Sequence, residues 1–269
     1  QTRQVYQFGG HGGFPWSETG SLVFLDVNKV PGSIRPFSAE LSHDLTTSMI
    51  ERGGFLGPPF DDYISAHWEE DRFLLLDGDP TTVFVHYPMI NIYSSPGVRR
   101  WYTVPMFFDL GAPFPVERIR IHVRPDHPEN LIREYRLWVN DGSEETKNEF
   151  GDPIWTLLKQ ETDNLKAVVD LDIEPQIVRH IYLRPWETGQ TWEISELEAF
   201  GQGFVPTASF VSEPIDLGAT ASLGRIWWQG QRDPGAKILI QTRSGHDPDP
   251  VLYWRKTGIG EIGRASCRE

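Results

Sequence analysis

Cysteine is nearly absent from this chain of 269 residues; the only one is Cys267. That excludes a disulfide scaffold and thiolate metal sites. No stretch approaches the roughly 20 consecutive apolar residues of a membrane span. Runs such as Leu22 to Val27 and Phe73 to Leu76 are strand-length, so membrane insertion is not expected. Positive charge is in deficit: 25 Lys and Arg stand against 38 Asp and Glu, a net charge of -13. Phosphate binding needs clustered Lys and Arg, so nucleic acid is not an expected partner. There is no nucleophile elbow, no Gly-rich phosphate loop and no His-Glu-x-x-His helix. The acid pairs Asp61-Asp62, Glu69-Glu70 and Glu144-Glu145 read as solvated turns rather than a glycosidase pair. The chain is therefore not expected to be an enzyme.

What is present is Gly (25), Pro (21) and aromatic residues (12%, ten of them Trp), with little helical periodicity. Short apolar-alternating runs separated by turns predict an all-β fold. Strands are predicted at Ser21 to Val27, Arg72 to Leu76, Thr82 to His86, Tyr102 to Leu110 and Arg118 to Val123. Further strands are predicted at Glu134 to Val139, Trp155 to Leu158, Ala167 to Leu171, Val178 to Leu183 and Trp192 to Phe200. Leu41 to Glu51 reads either as a short helix capped by Ser42 or Asp44 or as a strand. Phe108, Ile119, Ile121, Leu137, Val169, Ile181 and Leu197 sit at core-facing positions. His11, flanked by glycines, reads as a loop residue.

One pattern repeats. Asp109-Leu-Gly-Ala112, five residues and Arg118-Ile119 return as Asp216-Leu-Gly-Ala219, five residues and Arg225-Ile226. Strand-like runs follow each copy, at Ile119 to Val123 and at Ile226 to Trp228, and later at Tyr135 to Val139 and Ile238 to Thr242. The repeat predicts two β modules in tandem, the second cut short.

The order of the motifs Leu76-Asp-Gly-Asp-Pro-Thr-Thr82, Phe107-Phe-Asp-Leu-Gly111, Val116-Glu-Arg-Ile-Arg-Ile121, Tyr135-Arg-Leu-Trp-Val-Asn-Asp-Gly142, Val178-Arg-His-Ile-Tyr-Leu-Arg-Pro185 and Ile194-Ser-Glu-Leu-Glu-Ala-Phe-Gly201 resembles the discoidin, or coagulation-factor type C, family. The resemblance covers about 70 to 203. It departs from the family at Val83-Phe84, where a Trp is usual, and the long segment before 70 lies outside the pattern. It implies a galactose-binding-like, antiparallel jelly-roll β-sandwich followed by a truncated second β-sandwich module. The domains expected are an N-terminal arm and first strands at 1–69 packed on the first module, the jelly roll at 70–203, and the truncated module at 204–261.

The resemblance also implies a structural Ca²⁺ held by Asp77, Asp79, Thr82 and either Glu196 or Glu198, with backbone carbonyls. The other reading of Asp77-Gly78 is a plain turn whose carboxylate accepts backbone N–H bonds. Recognition in such folds is carried by loops at one end. Here those loops, Asp61 to Glu70, Tyr87 to Trp101, Pro125 to Ile132 and Pro185 to Trp192, supply Trp68, Tyr93, Arg99, Arg100, Trp101, His127, Trp186 and Trp192. Trp offers a stacking face and Arg a fork of donors, which suits sugars. The same Trp residues equally suit core packing.

The expected function is a non-catalytic, extracellular, periplasmic or cell-surface bacterial module binding a glycan or another surface ligand. The alternatives are a structural or assembly domain of a multimodular surface protein, and the accessory module of a glycan-degrading enzyme. Gln1 reads as the residue left by signal-peptide removal or as an interior point of a longer chain. Further modules are expected C-terminal to residue 260. Residues 262–269 are similar to the translation of a common sequencing adapter, which implies that they pack against nothing specific.

Overall fold

The computed structural model describes residues 4–57, 71–86, 89–90, 101–102, 105–124, 126–186, 191–222, 224–243, 252–258 and 261–266. Two compact units divide the chain, one formed by 1–16 and 22–210 and the other by 17–21 and 211–269.

The first unit is all-β and antiparallel. Its main sheet is built on two long strands, β3 (Met106–His122) and β6 (Val168–Pro185), which pair along most of their length. Four further strands complete the sheet: β1 (Phe55–Gly57), β4 (Tyr135–Asn140), β5 (Thr156–Glu161) and β8 (Glu196–Phe200). The order is β5-β4-β6-β3-β8, with β1 also on β3. A separate pair joins β2 (Phe84–His86) to β7 (Trp192–Ile194).

The long strands belong to two half-sheets. The first part of β3 pairs with β1 at Phe107 to Asp109, while its second part pairs with β8 at Arg118 to His122. Likewise β4 takes only the last part of β6, from His180 to Pro185. Register breaks between Val178 and His180 and between Asp172 and Gln176 mark where the halves meet. Bulges of this kind bend a strand and raise its twist. One apolar core serves both halves, and it includes Phe108, Leu110, Phe114, Ile119, Leu137, Val178, Ile181 and Leu197. The seven core positions read from strand alternation are all buried.

Several sequence expectations need correcting. The runs expected at Tyr102 to Leu110 and Arg118 to Val123 meet in one strand, Met106–His122, and Asp109-Leu-Gly111 lies inside it rather than at a strand end. The runs from Ala167 and from Val178 also merge. In both places a bulge uses the residues that a turn would use. Arg72–Leu75 is a 3-10 turn, not a strand, with Leu76 N donating to Phe73 O and both Leu75 and Leu76 buried. Leu41 to Glu51 forms single turns, with Thr46 Oγ1 donating to Leu197 O and Leu45 N to Ala199 O. The run from Trp192 to Phe200 splits at Ser195, whose N–H donates to His122 O. The first strand breaks at Phe24, which has φ 55.

Within the second unit, Ile226 to Trp228 and Ile238 to Thr242 form no strand. Only the turn of the repeat recurs: Gly218 N donates to Asp216 Oδ1 at 2.8 Å, as Gly111 N does to Asp109 Oδ1 at 2.9 Å. Glu261–Ser266 pairs antiparallel with Leu252–Gly258, with Ile262 opposite Lys256. No helix among the described residues is long and apolar enough to cross a membrane.

Gly201, which closes β8, is fixed by close approach. A Cβ there would lie 1.7 Å from Pro115 O, a backbone atom that cannot yield cheaply. Overpacking of this kind costs about 1–3 kcal/mol. Gly201→Ala should therefore lower the urea midpoint with m unchanged. An unchanged midpoint would show that β8 and Pro115 are not held this close.

Candidate functional site

A rim loop follows β3. Val123 N still donates to Ala167 O, then Arg124 leaves the sheet and a 3-10 turn forms at Pro128–Asn130. Pro suits the first position of such a turn because its missing N–H would have no partner there. Leu131 and Ile132 are buried and anchor the loop. The turn places Arg124 and Asn130 over β7.

The group beneath them is Glu193, a buried carboxylate in an apolar strand between Trp192 and Ile194. Its Oε1 accepts from Asn130 Nδ2 at 2.7 Å and from Arg124 Nη2 at 3.2 Å. A buried carboxylate requires such donors. Both donors are thereby held in fixed orientation, and Arg124 stays 29% exposed in its side chain. An oriented guanidinium and amide, with donors left over, form a site for oxygen-rich ligands. Glu193 Oε2 is buried without a hydrogen-bond partner.

Sequence reasoning missed Arg124, Asn130 and Glu193. The available signal was a charge inside an otherwise apolar strand, which is informative when it is buried. His127, which sequence reasoning did select, lies in this loop and binds Glu129 Oε1 through Nδ1 at 2.8 Å. Trp186 is 43% exposed, and its backbone N–H donates to Glu134 O. Trp192 is instead a core residue, fully buried and stacked on His86 at 4.7 Å. Trp68, Tyr93, Arg99 and Arg100 lie outside the described residues. Of Trp101 only the backbone is described, pairing with Ile90.

A second cluster lies on the other side of the same strand run. Glu196 is buried, and no donor reaches either of its oxygens. Desolvation pushes its pKa up to about 8, reinforced by the carboxylate of Asp77 beside it and by Asp44 and Glu198. Asp77 is held by its own turn: Oδ1 accepts from Asp79 N and Oδ2 from Thr82 Oγ1. The Asp79 carboxylate turns away to Thr81, while its backbone oxygen accepts from Thr82 Oγ1. Glu198 is taken by His122 Nε2 at 2.7 Å and Arg120 at 3.3 Å. Burial also raises the pKa of Asp44, despite bonds from Thr46 and Ala199 N–H. Among the described residues no three His, Cys, Asp or Glu side chains form a metal-holding group.

No protein-family model matches the chain, and no curated protein does. Solved structures similar to it include a family 32 CBM from C. perfringens NanJ in complex with galactose. That likeness has 14% identity, covers 61% of this chain and 99% of that one, and has a TM-score of 0.40. A fucose binding module of Streptococcus pneumoniae, SpX-3, is 10% identical over 60% of this chain and 99% of that one, with a TM-score of 0.40. CBM32-3, from a family 31 glycoside hydrolase of Clostridium perfringens, is 11% identical over 60% and 96%, also with a TM-score of 0.40.

The Glu196 site makes a pH prediction. Its folded pKa is raised from 4.5 to about 8, so the native state holds a proton that the unfolded state releases. That contribution is complete below 4.5 and is lost as pH rises toward 8. In chelator-treated protein, the melting temperature of Glu196→Gln should hold up better than wild type across this range. Parallel pH profiles for the two would contradict the burial of an unpaired carboxylate.

Proposed function

We propose that the first unit is a non-catalytic glycan-binding module of an extracellular or cell-surface bacterial protein. The observation that carries this reading is Glu193 beneath Arg124 and Asn130. A buried carboxylate that aims two planar donors outward is the arrangement that recognises vicinal hydroxyls, because the donors are ordered before the ligand arrives. Of the tryptophans, Trp186 is exposed but packs against Arg136 and Arg184 rather than Arg124 and Asn130; Trp192 is buried, and Trp138 and Trp155 serve packing through their contacts with Tyr182.

We read the Glu196 cluster as the seat of a structural Ca²⁺. Glu196, buried with no donor of its own and beside the Asp77 carboxylate, needs either a proton or a cation. Asp77 and Glu196 would be its carboxylate ligands. Thr82 Oγ1 and backbone oxygens would supply the rest of the six to eight that calcium takes. Glu198, already paired, is not among them, and Asp79 would take part through its backbone oxygen. When bound, the ion neutralises the cluster and fixes the Asp77 turn against β8. Calcium should accordingly raise the melting temperature most at high pH and flatten the pH profile, with no effect in Glu196→Gln.

The ligand reading is tested by titration with galactose and fucose, the sugars named for two of the similar modules. At roughly −0.3 kcal/mol per non-hydrogen atom, a monosaccharide of about a dozen such atoms binds with a Kd of about 2 mM. Asn130→Ala and Arg124→Gln should each weaken binding by about five- to tenfold, the worth of one hydrogen bond. Weak single-site binding becomes useful when several modules share one chain. Sugar binding that survives both substitutions would remove the rim from the account.

A further inference from the structure

Seven arginines lie between Arg118 and Arg184. Five of them meet a carboxylate: Arg118 and Arg120 at Asp170, Arg124 at Glu193, Arg133 at Asp163 and Arg179 at Asp109. Arg136 and Arg184 meet none within 4 Å among the described residues, in a chain with 38 acidic side chains. Both face outward, since Tyr135, Leu137, Leu183 and Pro185 beside them are buried. They are also direct cross-strand partners on β4 and β6. Like charges opposite one another on an antiparallel pair are unfavourable. A local rule broken in this way, without an ion pair to relieve it, marks a site kept for something else.

Their surroundings show what the site accepts. The guanidiniums lie 4.8 and 4.5 Å from the ring centroid of Trp186. Side by side on one sheet face, both pack against the indole, and the ring stays 43% exposed. The three residues line a small open groove of about 80 Å³ with Glu134, Gln160, Glu161 and Thr162. That is well under the ~300–1,000 Å³ of enclosing pockets, so a ligand lies against this surface rather than inside it. The groove also holds two carboxylates. Glu161 is occupied by Lys159 Nζ at 3.2 Å and by the N–H groups of Thr162 and Asp163. Among the described residues the Glu134 carboxylate is not within 4 Å of either guanidinium, and with Gln160 it lines the groove with acceptors for hydroxyl groups.

We propose that Arg136 and Arg184 form an anion-binding subsite on the outer sheet face, taking a sugar that carries a carboxylate or a sulfate ester, with its ring against Trp186. Paired guanidinium forks match the oxygens of either group. The subsite rests on the glycan-binding reading above but uses none of the same residues.

The test compares galactose, galacturonic acid and galactose 6-sulfate, which differ only at the exocyclic carbon, by NMR titration of the full chain. The two acidic sugars should shift the Trp186 indole N–H signal and galactose should not; the larger response assigns carboxylate or sulfate. The double variant R136Q/R184Q, checked for an unchanged melt, should weaken acidic-sugar binding roughly tenfold or more, the value of a charged hydrogen bond. Galactose binding at the rim should stay as it was. About 0.5 M salt should also weaken the acidic sugars, since the site is open to solvent. Acidic sugars that bind no better than galactose, or a preference that persists in R136Q/R184Q, would overturn the proposal. Loss of galactose binding alone would count against the rim reading, with Trp186 still responding to the acidic sugars.

Discussion

Asp109 sits where β3 passes from one half-sheet to the other, and its carboxylate ties the crossing together. Burial opposes its ionisation. The His180 ring at 3.8 Å and the bonds from Arg179 and Gly111 N–H outweigh that cost and hold its pKa well below the ordinary aspartate range. Arg179 grips it with two contacts, at 2.9 and 3.1 Å, and Arg179 is the β6 residue at the register break. Gly111, with φ 79, turns the chain, and Arg52 Nε donates to Leu110 O from outside. Breaking a buried ion pair by removing one partner is costly, because the other charge is left without compensation. The pin thus fixes both long strands at one point, and the two half-sheets share a core only if that point is fixed.

The opposite end of the unit depends on this register. β3 must end at His122 for Arg124 to meet Glu193, and β8 must pair with it for Glu196 to lie beside Asp77. The short run from Trp192 to Glu196 carries three different assignments on alternating sides. Trp192 and Ile194 pack inward, Glu193 supports the rim loop, and Glu196 faces the acidic turn. Buried charges of this kind add little stability by themselves. Their use here is to hold exposed donors, or a cation, in place.

The core was legible in the sequence because strand alternation is local: Phe108, Leu137, Ile181 and Leu197 reveal their side by their neighbours. The corners were not, since a bulge inside a long strand and a turn between two strands use the same Asp-Leu-Gly residues. The repeat at Asp216 shows the limit, where an identical turn is not followed by the strands it suggests. Asp77 and Glu196 came from the resemblance to discoidin-like domains, and no residue pattern alone would have joined positions so far apart. Arg124, Asn130 and Glu193 were missed because a charged residue in a strand reads as solvent-facing. The Arg136–Arg184 pair was hidden for another reason: cross-strand partners appear only when the register is known.

The central claim is that an oxygen-rich ligand binds where Glu193 aims Arg124 and Asn130. A crystal structure of the chain with galactose tests it most directly. The account predicts sugar hydroxyls within hydrogen-bond distance of the Arg124 guanidinium and the Asn130 amide, with both still bonded to Glu193 Oε1. A sugar ordered elsewhere on the first unit, with these two side chains touching only Glu193, would contradict it.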